Sequence, residues 1–382
     1  MRKKKKPERL LLFAVLLSLP LISARAADPA PKTDAVSAVL MEQESRTVLC
    51  SHEANRPLPI ASITKIMTGL LAVERCDLNE KVVIRSEWLG TEGSNMGLRS
   101  GDVRSVKELL YGLMLASGND AAVALACYMA GDLPTFVQWM NDRAAELGMY
   151  DTCFLNPHGL TQEGHRSTAR DMGILACAAM ENACFAEISA CRTAEVDGIQ
   201  LRNHNRLLWD YPGALGVKTG YTEAAGRTLV SCAKRDGMSL ICVTLNDPAD
   251  WKDHSALLDW GFDNYSVVRP EQQSWSVPVI SGQKERVTLQ PAEAACVPIP
   301  LSASLEWKAE LPRFVYAPCE KGAATGRAVL YTNGEPVYSC PLVFGEPVYL
   351  DPAQRLNFWE KLCRFWYSAC RDGPVYPSTQ ID

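Results

Sequence analysis

Residues 62–65 read Ser62-Ile63-Thr64-Lys65, residues 117–119 read Ser117-Gly118-Asn119, and residues 218–220 read Lys218-Thr219-Gly220. In that order they supply a nucleophilic hydroxyl, two lysines, a second hydroxyl and a side-chain amide. These are the groups of a serine acyl-transfer site in which lysine serves where most serine hydrolases use histidine. Ser-x-x-Lys alone carries little, since it recurs at Ser231 and Ser281. Ser-x-Asn and Lys-Thr-Gly each occur once, and the combination singles out Ser62.

The flanking sequence places each string on an element. Val36–Met41 and Thr47–Cys50 read as two strands around a polar turn. Ile60–Glu74 has apolar residues at helical spacing, which puts Ser62 in the first turn of a helix. Val106–Ala130 reads as two helices interrupted by small polar residues at Ser117-Gly118-Asn119-Asp120. Leu133–Leu147 is an amphipathic helix stopped by Gly148. Gly226–Lys234 and Met238–Leu245 form a hairpin around Arg235-Asp236-Gly237, with Lys218-Thr219-Gly220 on the neighbouring strand.

Serine is a weak nucleophile until a base takes its proton. Residues three apart on a helix share a face, so Lys65 can bring its amine to the Ser62 hydroxyl. For Lys65 to act as a base its pKa must fall, and burial plus a second cation, Lys218, would both lower it. Ser117 can relay a proton to a leaving amine, and Asn119 can hold a peptide bond of the substrate. Lys218 and Thr219 on a strand edge offer a cation and a hydroxyl to a substrate carboxylate. Gly220 lets a substrate backbone lie close. The backbone N–H groups of Tyr221 and Ser62 can form an oxyanion pocket. Each residue alone has an ordinary structural reading, as helix cap, turn former or solvated lysine.

The chain starts with basic residues from Arg2 to Lys6, an apolar run from Leu10 to Ile22, and small residues at Ala24-Arg25-Ala26. That pattern predicts a cleaved export signal over 1–26. The apolar run falls short of the roughly 20 residues that span a bilayer. Without residues 1–26 the formal charge moves from −5 to −11, with 32 Lys and Arg against 43 Asp and Glu. An acidic chain with no basic stripe is a poor match to nucleic acid, so that class is set aside. The 14 cysteines show no Cys-x-x-Cys pair, and most read as small buried apolar residues. Cys177, Cys184 and Cys191 recur every seven residues, which puts them on one face if that stretch is one helix. The histidines at 52, 158, 165, 204 and 254 show no His-x-x-x-His or similar ligand spacing, so His158 reads as structural.

Beyond Tyr265 short Val/Ile-rich runs, frequent prolines and no helical period predict a small all-β domain over 265–350. In the tail over 352–382, Phe358, Trp359, Leu362, Cys363, Phe365, Trp366 and Cys370 fall on one side of a helix. Two tryptophans on the apolar face and a basic excess on the other predict a helix lying in a membrane interface.

Gly118-Asn119-Asp120-Ala121-Ala122, Met140-Asn141, Leu147-Gly148-Met149, Asn156-Pro157-His158-Gly159-Leu160, Ser167-Thr168-Ala169-Arg170-Asp171 and Asn203-His204-Asn205-Arg206-Leu207-Leu208 extend the pattern. Together with the three strings they resemble the serine-type D-Ala-D-Ala carboxypeptidases, the low-molecular-mass penicillin-binding proteins, over roughly residues 35–264. The resemblance implies an α/β (α+β) fold, a β-lactamase/transpeptidase-like domain whose antiparallel sheet is flanked by helices. The implied reaction removes the terminal D-Ala from peptidoglycan stem pentapeptides through an acyl-enzyme on Ser62. β-Lactams would acylate the same serine, and the protein would work at the outer face of the bacterial cytoplasmic membrane or in the cell wall. A serine β-lactamase shares the three strings, but no Glu-x-x-Leu-Asn for a deacylating water lies between Ser117 and Lys218. A non-catalytic wall-binding module on the same fold is the alternative from another class.

Overall fold

The structure, a computed structural model, describes residues 29–352 together with residues 359, 361–363 and 366. The export-signal region 1–26 lies outside the described residues, as does most of the tail beyond 352.

The N-terminal part of the described chain is built on one antiparallel sheet. The chain enters through strands β1 (Ser37–Glu42) and β2 (Val48–His52). A 3₁₀ turn over Ala61–Thr64 then leads into helix α1 (Lys65–Arg75). A small ladder of β3 (Lys81–Val83) and β4 (Val103–Ser105) precedes α2 (Val106–Met114), which opens on a capping box between Ser105 and Glu108. Helices α3 (Asn119–Ala130), α4 (Leu133–Leu147), α5 (Ala169–Glu181) and α6 (Ala183–Ala190) follow. A hairpin of β5 (Thr193–Val196) and β6 (Ile199–Arg202) and a short α7 (Leu207–Asp210) lead back to the sheet. The sheet closes with β7 (Ala214–Thr222), β8 (Gly226–Arg235) and β9 (Met238–Leu245), in the order β2-β1-β9-β8-β7. Helix α8 (Asp250–Asn264) ends this half.

Strand alternation explains why helices cover both faces. Val39, Met41, Val230, Ile241 and Val243 point into one core with α1, α2, α3 and α5, whereas Leu40, Leu229, Leu240 and Cys242 meet Leu257 and Leu258 of α8 on the other. The β8–β9 hairpin turns on Asp236 and Gly237, both at positive φ (49° and 83°), as a two-residue primed turn requires.

Two details depart from the periodicity. The stretch around Cys177, Cys184 and Cys191 is not one helix. Asn182 ends α5 and caps α6 through its side chain, and the two helices bend by 104°. Cys177 is buried and Cys184 exposed, so the seven-residue recurrence does not mark a common face. The helix over Ile60–Glu74 starts late, because Ala61 sits at φ +48° and the first turn is 3₁₀. The Thr64 hydroxyl donates to the Ala61 carbonyl (2.8 Å), which tightens that turn.

The remainder is a separate β-rich domain. It comprises β10 (Tyr265–Val268), β11 (Trp275–Ile280), β12 (Arg286–Pro291), β13 (Val297–Pro300), β14 (Leu305–Glu310), β15 (Val315–Tyr316), β16 (Ala324–Thr332) and β17 (Glu335–Phe344). Six of these strands form one sheet in the order β14-β16-β17-β12-β11-β15, over its own core of Val277, Leu289, Leu342 and Phe344. Arg269 pairs both oxygens of Glu44, which ties the start of this domain to the β1–β2 turn. Among the described residues no helix is long and apolar enough to cross a membrane.

Candidate active site

Three elements converge on Lys65. Its Nζ lies 2.9 Å from Ser62 Oγ, 2.8 Å from Asn119 Oδ1 and 2.7 Å from the His158 carbonyl oxygen, and the side chain is wholly buried. Burial first, and then the charge of Lys218, hold the Lys65 pKa well below the usual lysine range, while Asp120 opposes the shift. The neutral amine has two N–H bonds and one lone pair. Asn119 Oδ1 and the His158 carbonyl can only accept, so they take the two N–H bonds. The lone pair is then left for the Ser62 hydroxyl, which is the orientation a base needs.

The other groups frame this triangle. Asn119 is at the start of α3, its amide nitrogen donating to the Glu92 carbonyl (2.6 Å). Its side chain is thus held between Lys65 and Glu92. Ser117, two residues earlier, is nearly buried at φ +57°, and its hydroxyl makes no hydrogen bond among the described residues. A non-glycine residue at positive φ stores strain of the kind found at functional sites. Lys218 and Thr219 lie on β7, the edge strand of the sheet, whose outer backbone groups have no sheet partner. Lys218 is buried, and burial brings its pKa down to about 7. Gly220 is the point of closest approach, since a Cβ there would come within 2.9 Å of the Ser62 backbone nitrogen and 2.4 Å of Thr228 Oγ1. Tyr221, exposed, follows on the same edge.

A support layer fixes the nucleophile's turn. Thr228 donates from β8 to the Ile60 carbonyl at 3.1 Å. Leu155 N–H donates to His165 Nδ1 (3.0 Å), which leaves the proton on Nε2, 2.8 Å from Thr64 Oγ1. Thr64 in turn donates to Ala61. Burial lowers the His165 pKa to about 4, so this chain of donors stays neutral at physiological pH. Asp120 accepts from the backbone N–H groups of Met96, Gly97 and Leu98, pinning that loop beside Asn119.

Ser62, Lys65, Asn119 and Gly220, singled out in the sequence, are therefore brought together by direct contacts, with Lys218, Thr219 and Tyr221 on the strand that carries Gly220 and Ser117 in the loop that leads into α3. The spacing of the strings did not expose the support layer. His158 serves Lys65 through its carbonyl, which no side-chain pattern encodes. Gly159, Thr64 and His165 act on the 3₁₀ turn that carries Ser62; Gly159 falls in the Asn156–Leu160 stretch and Thr64 inside the first string, while His165 lies in none of the quoted stretches. The competing Ser-x-x-Lys at Ser231 is buried in β8 against His254 (2.6 Å), and the one at Ser281 belongs to the β-rich domain.

The D-alanyl-D-alanine carboxypeptidase family, peptidase family S11, matches residues 24–249. The chain belongs to that family. It is 34% identical over 333 residues to the D-alanyl-D-alanine carboxypeptidase DacF of Bacillus subtilis, covering 82% of this chain and 85% of DacF. It is 34% identical over 360 residues to DacC of Escherichia coli K12, covering 88% of this chain and 90% of DacC. The structure superposes on penicillin binding protein 5 from Haemophilus influenzae with a TM-score of 0.74 at 29% identity, over 84% of this chain and 99% of that one. The α+β architecture with helices on both faces of an antiparallel sheet, and the β-rich domain after it, agree with this membership.

Proposed function

We propose that this carboxypeptidase removes the terminal D-Ala from peptidoglycan stem pentapeptides through an acyl-enzyme on Ser62. The reading rests on one observation above all: the buried Lys65 amine lies 2.9 Å from Ser62 Oγ with two fixed acceptors beside it, so that in its neutral form the lone pair is left for Ser62. Lys65 takes the Ser62 proton as the oxygen attacks the carbonyl between the two D-Ala residues. The developing oxyanion falls between the N–H groups of Ser62 and Tyr221. Ser117 relays the proton to the departing amine. Asn119 orients Lys65 and the substrate amide, and Lys218 with Thr219 holds the terminal carboxylate. Water then attacks the ester and returns the proton along the same path. No metal or cofactor takes part in this scheme. β-Lactams acylate the same serine and leave slowly.

D-Ala release from a pentapeptide, measured beside penicillin hydrolysis, tests the reaction. Release of D-Ala with slow penicillin turnover is expected. Rapid penicillin turnover without D-Ala release would make the protein a β-lactamase, and neither activity would leave the wall-binding module.

The proposal extends to the organisation of the chain. Residues 1–26 direct export, 35–264 form the catalytic domain, 265–350 form the β domain, and 352–382 lie on the outer surface of the cytoplasmic membrane. Trp359, Leu362 and Trp366 are helical and exposed, which supports an apolar face turned away from the body. Removing residues 352–382 is expected to move the protein from the membrane to the soluble fraction after cell breakage. A truncated protein that stays with the membrane would place the anchor elsewhere.

A further inference from the structure

A cavity of about 370 Å³ opens at the far edge of the main sheet, outside every role assigned above. The strand order β2-β1-β9-β8-β7 puts it four strand spacings from Lys218, roughly 19 Å at about 4.8 Å per spacing. Strand register explains how it is built. Ala38 pairs with His52 and Leu40 with Cys50, and residues directly opposite in an antiparallel pair point to the same face. Leu40 and Cys50 pack with Leu257, so that face is the one α8 covers. The segment that leads into β1 closes the remaining side with Pro31, Lys32 and Thr33. It is tied down only further on, where Asp34 N–H donates to Asp253 (2.6 Å) and Val36 N–H to the Asn246 carbonyl (3.2 Å). Among the described residues no backbone hydrogen bond joins residues 30–33 to β2, so the segment leaves a gap instead of adding a strand.

The interior and the mouth differ in chemistry. Ala38, Leu40 and Leu257 are buried, and Cys50 is half-buried with its thiol pushed up to about 12 by burial, which keeps the walls uncharged. At the mouth Lys32 and His52 are exposed, and neither side chain makes a hydrogen bond or ion pair among the described residues. None of the described lining residues is acidic. One ammonium and one imidazole therefore stand over an apolar volume in the range of small-ligand pockets. An aliphatic chain would displace water from Leu40, Cys50 and Leu257, and an anionic head would meet Lys32. A cationic head on the same chain would find no carboxylate there and would be repelled.

We infer that this cavity is a binding site for a medium-chain aliphatic carboxylate, with Lys32 at the head and Leu40, Cys50 and Leu257 along the chain.

Decanoate titrated into the full chain, with peptide mapping of thiol alkylation, tests it. Bound decanoate should slow alkylation of Cys50 by N-ethylmaleimide and leave the exposed Cys184 unaffected. Affinity should rise about fourfold per methylene from pentanoate upward, then level off once the chain fills the cavity. Lys32→Glu should weaken decanoate about fivefold and tighten decylammonium by about the same factor, the range of an exposed ion pair. That variant should still take up penicillin on Ser62, which shows that the fold is intact. Binding that leaves Cys50 alkylation unchanged would place decanoate elsewhere, on the exposed Trp359, Leu362 and Trp366 for example, and would overturn the inference. Equal affinity for decanoate and decylammonium, a Lys32→Glu variant that changes neither, or no decanoate binding would overturn it as well.

Discussion

Lys65→Met is expected to lose about 10³- to 10⁴-fold in kcat/KM for D-Ala release, the upper range for removing a general base. Methionine is an unbranched apolar side chain one atom shorter that supplies no basic lone pair to Ser62, and Asn119 Oδ1 and the His158 carbonyl lose their donor. A melting temperature measured alongside separates lost chemistry from lost fold. The pH profile carries a second, independent signature. Lys65 works as the neutral amine, so kcat/KM rises as pH passes up through its lowered pKa. Lys218 works as the cation, so kcat/KM falls as pH rises through about 7 in the free enzyme. The charge on Lys218 is one of the two causes that lower Lys65. Lys218→Gln should therefore move the acid limb to higher pH as well as weaken binding of the carboxylate. A variant that weakens binding and leaves the acid limb in place would break the link between the two lysines.

The largest stability effect is expected at a residue with no reactive group. Gly159 has φ +87°, and a Cβ there would lie 1.9 Å from the Ala61 carbonyl oxygen and 2.4 Å from its carbon. The clash is with backbone, which cannot swing aside, and it falls on the residue before Ser62. Overpacking costs about 1–3 kcal/mol, and alanine at positive φ adds about 1 kcal/mol. Gly159→Ala should then lose about 2–4 kcal/mol, seen as a fall of roughly 4–16 °C in melting temperature for a domain of this size. Any relief comes from moving the 3₁₀ turn, so D-Ala release should drop by about 10²-fold, as a displacement near 1 Å can produce. Unchanged melting and activity would mean that the turn is looser than this packing describes.

Fold and site were legible in the sequence to different degrees. The strands, the α2–α3 break and the β8–β9 hairpin could be read because alternation, helical spacing and Asp236-Gly237 are local signals. The groups around Lys65 followed from three short strings, since Ser62 and Lys65 are one turn apart and reach each other without help from the rest of the fold, and the α+β class was implied by the family resemblance that those strings and the stretches around them carry. What escaped was set by contacts distant in sequence. The 3₁₀ start of the helix depends on Thr228 and Thr64 gripping the turn. The third partner of Lys65 is a main-chain oxygen 93 residues away. The seven-residue spacing of Cys177, Cys184 and Cys191 looked like a helix face, but the Asn182 side chain caps a new helix there instead. Spacing reports periodicity within an element and is blind to where a cap divides two of them.

Mass spectrometry of the full chain after brief exposure to penicillin, followed by peptide mapping, identifies the nucleophile. One covalent penicilloyl group on the peptide that contains Ser62 is predicted, absent in Ser62→Ala, with Ser231 and Ser281 unmodified. An adduct on any other serine, or D-Ala release that persists undiminished in Ser62→Ala, would contradict it.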